Sequence, residues 1–160
     1  ITMIYEGANG IQALDLVGRK LGANGGRAIM AFFNEVGTFC AQNKDDAAVG
    51  AFAKALEKGA KDLQAATMWF MQNAMAKPDN AGAGSTPYMH MFGLVAMGYM
   101  WAKMAKAAAE KLGEGADERM TAKLATARFF FEQMMPETGA HLARIQAGAD
   151  SMMALPAEAF

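Results

Sequence analysis

Apolar residues recur at intervals of three and four along most of the 160 residues, the spacing that puts them on one face of a helix. Ile11, Leu14, Val17 and Leu21 predict a first helix from about Asn9 to Leu21, ended by Asn24-Gly25-Gly26. Ile29, Phe32, Phe33, Val36 and Phe39 predict a second from Arg27 to Gln42. The polar break Asn43-Lys44-Asp45-Asp46 follows, and Asp45 or Asp46 can cap a long third helix reaching about Lys77. Phe52, Leu56, Leu63, Trp69 and Phe70 are its apolar residues, and Pro78-Asp79-Asn80 stops it.

Gly82-Ala83-Gly84-Ser85 reads as a loop, and Thr86-Pro87 as a helix start, because a hydroxyl can cap and proline tolerates the first helical position. That fourth helix is expected to run to about Leu112 and to close at Gly113-Glu114-Gly115. Asp117 caps a fifth run to Met135, and Pro136 separates a last run from about Glu137 to Leu155. Valine and isoleucine are sparse, so no strand is expected. Short links between long helices imply antiparallel neighbours. The expected fold is all-α: an up-and-down antiparallel bundle of four main helices, preceded by a shorter N-terminal helix.

Composition narrows the function classes. Fifteen Lys and Arg against sixteen Asp and Glu give a net charge of −1, so nothing favours binding nucleic-acid phosphates. Hydrophobic residues make up 53%, yet mean hydropathy is only +0.05, because alanine supplies much of the count. No charge-free run of about eighteen apolar residues is present, so no membrane span is expected, and a cytoplasmic location is. The single cysteine, Cys40, is expected as a buried, inert thiol.

The most informative stretch is Ile4-Tyr5-Glu6-Gly7-Ala8-Asn9-Gly10-Ile11-Gln12, continuing through Arg19-Lys20-Leu21, a polar, glycine-rich turn running into a helix. It resembles the Tyr-Glu-Gly-Thr segment of acyl-CoA dehydrogenases. The continuation resembles their larger-chain branch, which carries an extra C-terminal helical domain and includes enzymes for methylmercaptopropionyl-CoA. The match is residue by residue over about the first twenty positions and by pattern beyond.

The resemblance implies an FAD-dependent parent that desaturates an acyl-CoA thioester. Its base would be Glu6, which removes the α proton and whose pKa an apolar site would raise. The Glu6 backbone N–H would hold the thioester oxygen, where charge develops in the transition state. Gly7 would permit close backbone approach and unusual dihedrals beside the base, and Tyr5 would pack on the acyl or flavin side. Tyr5, Glu6 and Gly7 are thus the implied substrate-binding residues, and Gly7, Ala8 and Asn9 the implied cofactor-binding ones. Ala8 departs from the family, which usually has threonine there.

The start at Ile1, with the motif in the first few residues, leads us to expect that upstream domains of the same chain are missing. Residues 1–24 would end the catalytic helical domain and residues 25–160 would form a C-terminal bundle. The fragment alone is expected to be inactive and not to retain FAD. An electron-transfer flavoprotein would reoxidise the parent, and a homo-oligomer is expected. The alternative is a stand-alone helical module for oligomerisation or partner binding.

The remaining residues suggest ordinary roles. His90 and His141 fall in different helices without the carboxylate spacing of a metal site, which points to packing or solvation. Met68, Met71 and Met75, like Met97, Met100 and Met104, share helix faces and are expected as adaptable core filler, with a groove for an acyl chain or partner helix as the alternative. Phe129-Phe130-Phe131 cannot all face one core stripe, so at least one is expected on a second surface. Lys54, Lys58 and Lys61 with Glu57 read as a solvated face.

Overall fold

The structure, a computed structural model, describes residues 7–159. Every regular element among them is helical, as expected. Helix α1 spans Ala8–Asp15 and continues through a π turn at Leu16–Lys20, where the Leu21 N–H reaches back to the Leu16 carbonyl at 2.8 Å. Asn24, Gly25 and Gly26 then take left-handed dihedrals (φ 51°, 68° and 75°), the conformation that Gly and Asn tolerate best. That is why the chain turns where the sequence suggests.

Four main helices follow: α2 (Arg27–Asn43), α3 (Gly50–Asn73), α4 (Asp79–Glu114) and α5 (Glu118–Phe129), with the ten-residue α6 (Glu137–Gln146) as a fifth. The longest, α4, packs against α1, α3, α5 and α6, while α3 also meets α2 and α6. The core between them is Val36 of α2, Leu56 and Leu63 of α3, Tyr88, Met91 and Val95 of α4, and Ile145 of α6, each fully buried. Side chains of this size contribute roughly 1.5–3 kcal/mol each on burial. Tyr88 donates to Thr67 Oγ1 at 2.8 Å, because the Thr67 proton is given to the Leu63 carbonyl. Burial pushes the Tyr88 hydroxyl up to about 12.

Asp46 and Asp117 act as the caps the sequence implies. The Asp46 carboxylate accepts from the Ala48 and Val49 N–H groups at 2.8 and 3.0 Å, one turn before regular helix begins at Gly50. Asp117 accepts from Arg119 and Met120 at 2.8 and 3.2 Å.

Four expectations need correcting. Residues 82–85 are helix, not loop, and Pro87 lies inside α4 rather than opening it. Packing overrides local propensity there: Gly84 and Ser85 are buried, and a Cβ at Gly84 would lie 2.7 Å from the Phe70 ring. Helix α3 stops at Asn73, not Lys77, and Pro78-Asp79-Asn80 opens α4 instead of standing as a breaker. The last helix ends at Gln146, not Leu155, because Gly148 turns left-handed (φ 67°) and Asn80 Oδ1 accepts from the next N–H, that of Ala149, at 3.0 Å.

The methionine runs form the fourth correction, since all six residues are exposed, Met75 to 91%. Spacing of three and four defines a face without saying which way it turns. The inward faces of α3 and α4 are filled by Leu56, Leu63 and Phe70 and by Tyr88, Met91 and Val95. Met135, outside these runs, does fill a socket. It lies between Gly59 of α3 and Gly98 of α4, and a Cβ at Gly59 would stand 2.7 Å from its sulfur.

Candidate active-site helix and its seat on the bundle

Tyr5 and Glu6 lie outside the described residues. Gly7, Ala8 and Asn9 are exposed at the opening of α1. Gly7 is left-handed (φ 76°), and its carbonyl accepts from the Ile11 N–H at 3.2 Å. The turn before α1 therefore needs a conformation that glycine adopts without steric cost.

One face of α1 is seated on the bundle. Ala13 is fully buried, α1 packs on α4, and Leu16, Val17 and Leu21 of the following turns pack against the main core. A small side chain at Ala13 lets two helix backbones approach closely. Below it, the Asp15 carboxylate holds Arg19 Nε at 2.6 Å and Lys20 Nζ at 3.3 Å. The Arg19 hydrogen bond, chiefly, keeps that carboxyl below its ordinary range. The opposite face carries Ile11, 64% exposed, and Leu14, 46% exposed.

The two histidines meet, which the sequence did not suggest. His90 of α4 and His141 of α6 lie edge to face with centroids 5.7 Å apart, and Glu137 Oε2 is 3.9 Å from His141 Nε2. His141 is buried, and among the described residues its Nδ1 has no hydrogen-bond partner. Burial, first, and then His90 and Arg144 lower its pKa from 6.5, against the opposing pull of Glu137. Among the described residues, no three metal-binding side chains come together.

The other sequence candidates are placed as follows. Cys40 is buried, and desolvation raises its thiol to about 11. Lys61 pairs with Glu57 at 2.7 Å and Lys58 with Asp62 at 2.9 Å on a solvated face, as expected. Phe130 and Phe131 are both buried, because the π turn at Phe130–Met134 widens the helix there, whereas Phe129 is 59% exposed. Two shallow open depressions mark the bundle. One of about 290 Å³ is lined by Asp46, Lys106 and Glu110, and one of about 650 Å³ by Leu112, Asp117, Glu118 and Thr121 among others. Neither is lined by α1 or by a histidine.

Fold and site together define an all-helical domain whose longest helix carries a glycine-opened helix on its flank. No helix among the described residues is long and apolar enough to cross a membrane.

The chain belongs to the acyl-CoA dehydrogenase C-terminal family: the family described as "Acetyl-CoA dehydrogenase C-terminal like" matches residues 32–156. It is 34% identical over 155 residues to a 3-methylmercaptopropionyl-CoA dehydrogenase of Ruegeria pomeroyi, covering 96% of this chain and 26% of that protein. It is 27% identical over 168 residues to a butyryl-CoA dehydrogenase of Syntrophomonas wolfei subsp. wolfei, covering all of this chain and 27% of that protein. The chain thus spans about a quarter of the length of the curated relatives it matches.

Proposed function

We propose that this chain is the C-terminal part of an FAD-dependent acyl-CoA dehydrogenase, with Glu6 as the base that removes the α proton of the thioester. The observation that carries the reading is Tyr5-Glu6-Gly7 set directly before a helix, in a chain whose relatives are named as acyl-CoA dehydrogenases. The left-handed Gly7 supports it, since a glycine beside the base lets the backbone bend toward substrate.

In this reading the α C–H pair passes to the Cα–C=O system as its proton moves to the Glu6 carboxylate. The Glu6 N–H meets the oxygen on which charge develops, a contact stronger in the transition state than in the ground state. Tyr5 packs beside the acyl group. Bound FAD would accept the β-hydride, and Gly7, Ala8 and Asn9, small or polar and exposed, fit one wall of its site. The remaining walls come from upstream domains, so the isolated chain is inactive. The parent works in the cytoplasm as a homo-oligomer and passes electrons to an electron-transfer flavoprotein. A boundary near residues 24 and 25 is supported by the left-handed turn there and by a family match that begins at residue 32.

The bundle from Arg27 onward is an interaction module within that parent, a role favoured by the exposed methionine faces of α3 and α4.

The test uses the polypeptide extended upstream, purified with FAD and mixed anaerobically with a panel of acyl-CoAs while flavin absorbance is followed. The expected result is bleaching by one thioester, lost in Glu6→Gln while flavin stays bound. Bleaching unaffected by Glu6→Gln, or no bound flavin, would overturn the assignment.

A further inference from the structure

His141 is only 6% exposed, yet no protein group among the described residues hydrogen-bonds its ring. Its Nδ1 is enclosed without a partner, and its Nε2 faces Glu137 Oε2 at 3.9 Å, beyond hydrogen-bond reach. Buried polar groups are otherwise almost always satisfied, so an imidazole with both nitrogens uncommitted calls for a ligand.

A second imidazole stands beside it. The rings of His90 and His141 have centroids 5.7 Å apart and planes at 81°. An ion held about 2.0–2.1 Å from one nitrogen of each ring, at a tetrahedral or wider angle, separates the centroids by about 5–6 Å. His141 is fixed, because α6 packs on both α3 and α4. His90 is exposed, so its ring can turn a nitrogen toward His141 Nε2 without disturbing the core. Glu137, one turn before His141 and 62% exposed, offsets the positive charge that Arg144 places near the site. Imidazole nitrogens suit zinc, copper and nickel, whereas magnesium and calcium prefer oxygen ligands. The chain's single thiol, Cys40, is buried and does not compete.

We propose that His90 and His141 chelate one divalent transition-metal ion of the zinc class between α4 and α6. No third metal-binding side chain converges on the pair among the described residues, so water fills the remaining positions, and Glu137 accepts a hydrogen bond from one of those waters. The ion ties together two helices whose ligands are distant in sequence. Because it binds the folded chain, it also stabilises the contact between them.

The test titrates Zn²⁺ into the tag-free chain at about pH 7.5, where an imidazole of ordinary pKa is neutral, and follows the imidazole resonances by NMR. The chain has two histidines, so His90→Gln assigns both signals. Both imidazoles are expected to respond together and to saturate at one ion per chain, with no response to Mg²⁺. His90→Gln should weaken Zn²⁺ binding by about tenfold or more. Because His90 is exposed, this variant should keep the native circular dichroism. A rise in the urea midpoint with Zn²⁺, present in the native chain and lost in His90→Gln, gives a second reading that does not depend on a substitution at the buried position. A response from His90 alone, or unchanged affinity in His90→Gln, would overturn the proposal. Affinity that rises with chain concentration would also overturn it, since the ion would then bridge two copies.

Discussion

Gly59 and Gly93 offer a paired substitution that isolates the socket holding Met135. Both lie inside long helices, so alanine at either should gain about 0.5–1 kcal/mol from reduced backbone entropy in the unfolded chain. Around Gly93 there is nothing within 4 Å of an added Cβ, and Gly93→Ala should show that gain undiluted. At Gly59 the Cβ would meet the Met135 sulfur at 2.7 Å, with Thr138 and Val95 methyl carbons at 3.5 and 3.6 Å. Met135 is itself 3% exposed, and Gly98 closes on its terminal methyl from the other side, so it has little room to withdraw. Overpacking of this kind costs about 1–3 kcal/mol. Gly59→Ala should therefore fall below Gly93→Ala by about 1–3 kcal/mol, or about 2–4 °C in Tm per kcal/mol for a chain of this size. Urea unfolding followed by circular dichroism at one fixed protein concentration measures the difference. In a Met135→Ala background the penalty at Gly59 should shrink, giving a coupling of about 1–2 kcal/mol in the double-mutant cycle. Gly59→Ala as stable as Gly93→Ala, or strictly additive losses with Met135→Ala, would refute the socket.

Two further outcomes follow from the helix ends and the histidine pair. Asp117→Ala should cost about 1 kcal/mol in urea unfolding and Asp117→Ser much less, because a hydroxyl can still accept from the first-turn N–H groups. His141 titrates below its ordinary 6.5 in the folded chain, so the unfolded chain takes up the proton first as pH falls. Its contribution to stability is complete above about pH 6.5 and is lost below it. Tm should thus fall between pH 7 and pH 5, with a shallower slope in His141→Leu.

The helical class, the caps at Asp46 and Asp117 and the first turn were legible because they rest on local chemistry. Asp117 sits where its carboxylate reaches free N–H groups, and Asn24-Gly25-Gly26 accepts dihedrals that most residues resist. The segment from Asp79 to Thr86 was not legible, because burial of Gly84 against Phe70 outweighs two glycines and a proline that locally argue for a loop. The methionine faces were misassigned for a related reason: periodicity gives the angle between residues but not the direction of the core. On α4, Met91 points inward while Met97, Met100 and Met104 point outward, and their side chains are identical. His90 and His141, 51 positions apart, meet only because α4 and α6 pack together, which no local pattern encodes. The candidate site was legible as a motif and not as a shape, since its helix is defined partly by what it rests on.

The π turn at Leu16–Lys20 sets the angular phase of the chain's leading end. A π turn holds one residue more than the α-helical register needs, and each helical residue advances the chain by about 100° and 1.5 Å. With Leu16, Val17 and Leu21 packed against the core, that surplus residue helps determine which way α1 presents Gly7. Deleting one residue here would turn α1 by about 100°, more than a quarter of a circle, and so carry Ala13 out of its buried seat on α4. The direction in which α1 presents Gly7 is therefore set by a residue count, in a turn that lies two helical turns away from it.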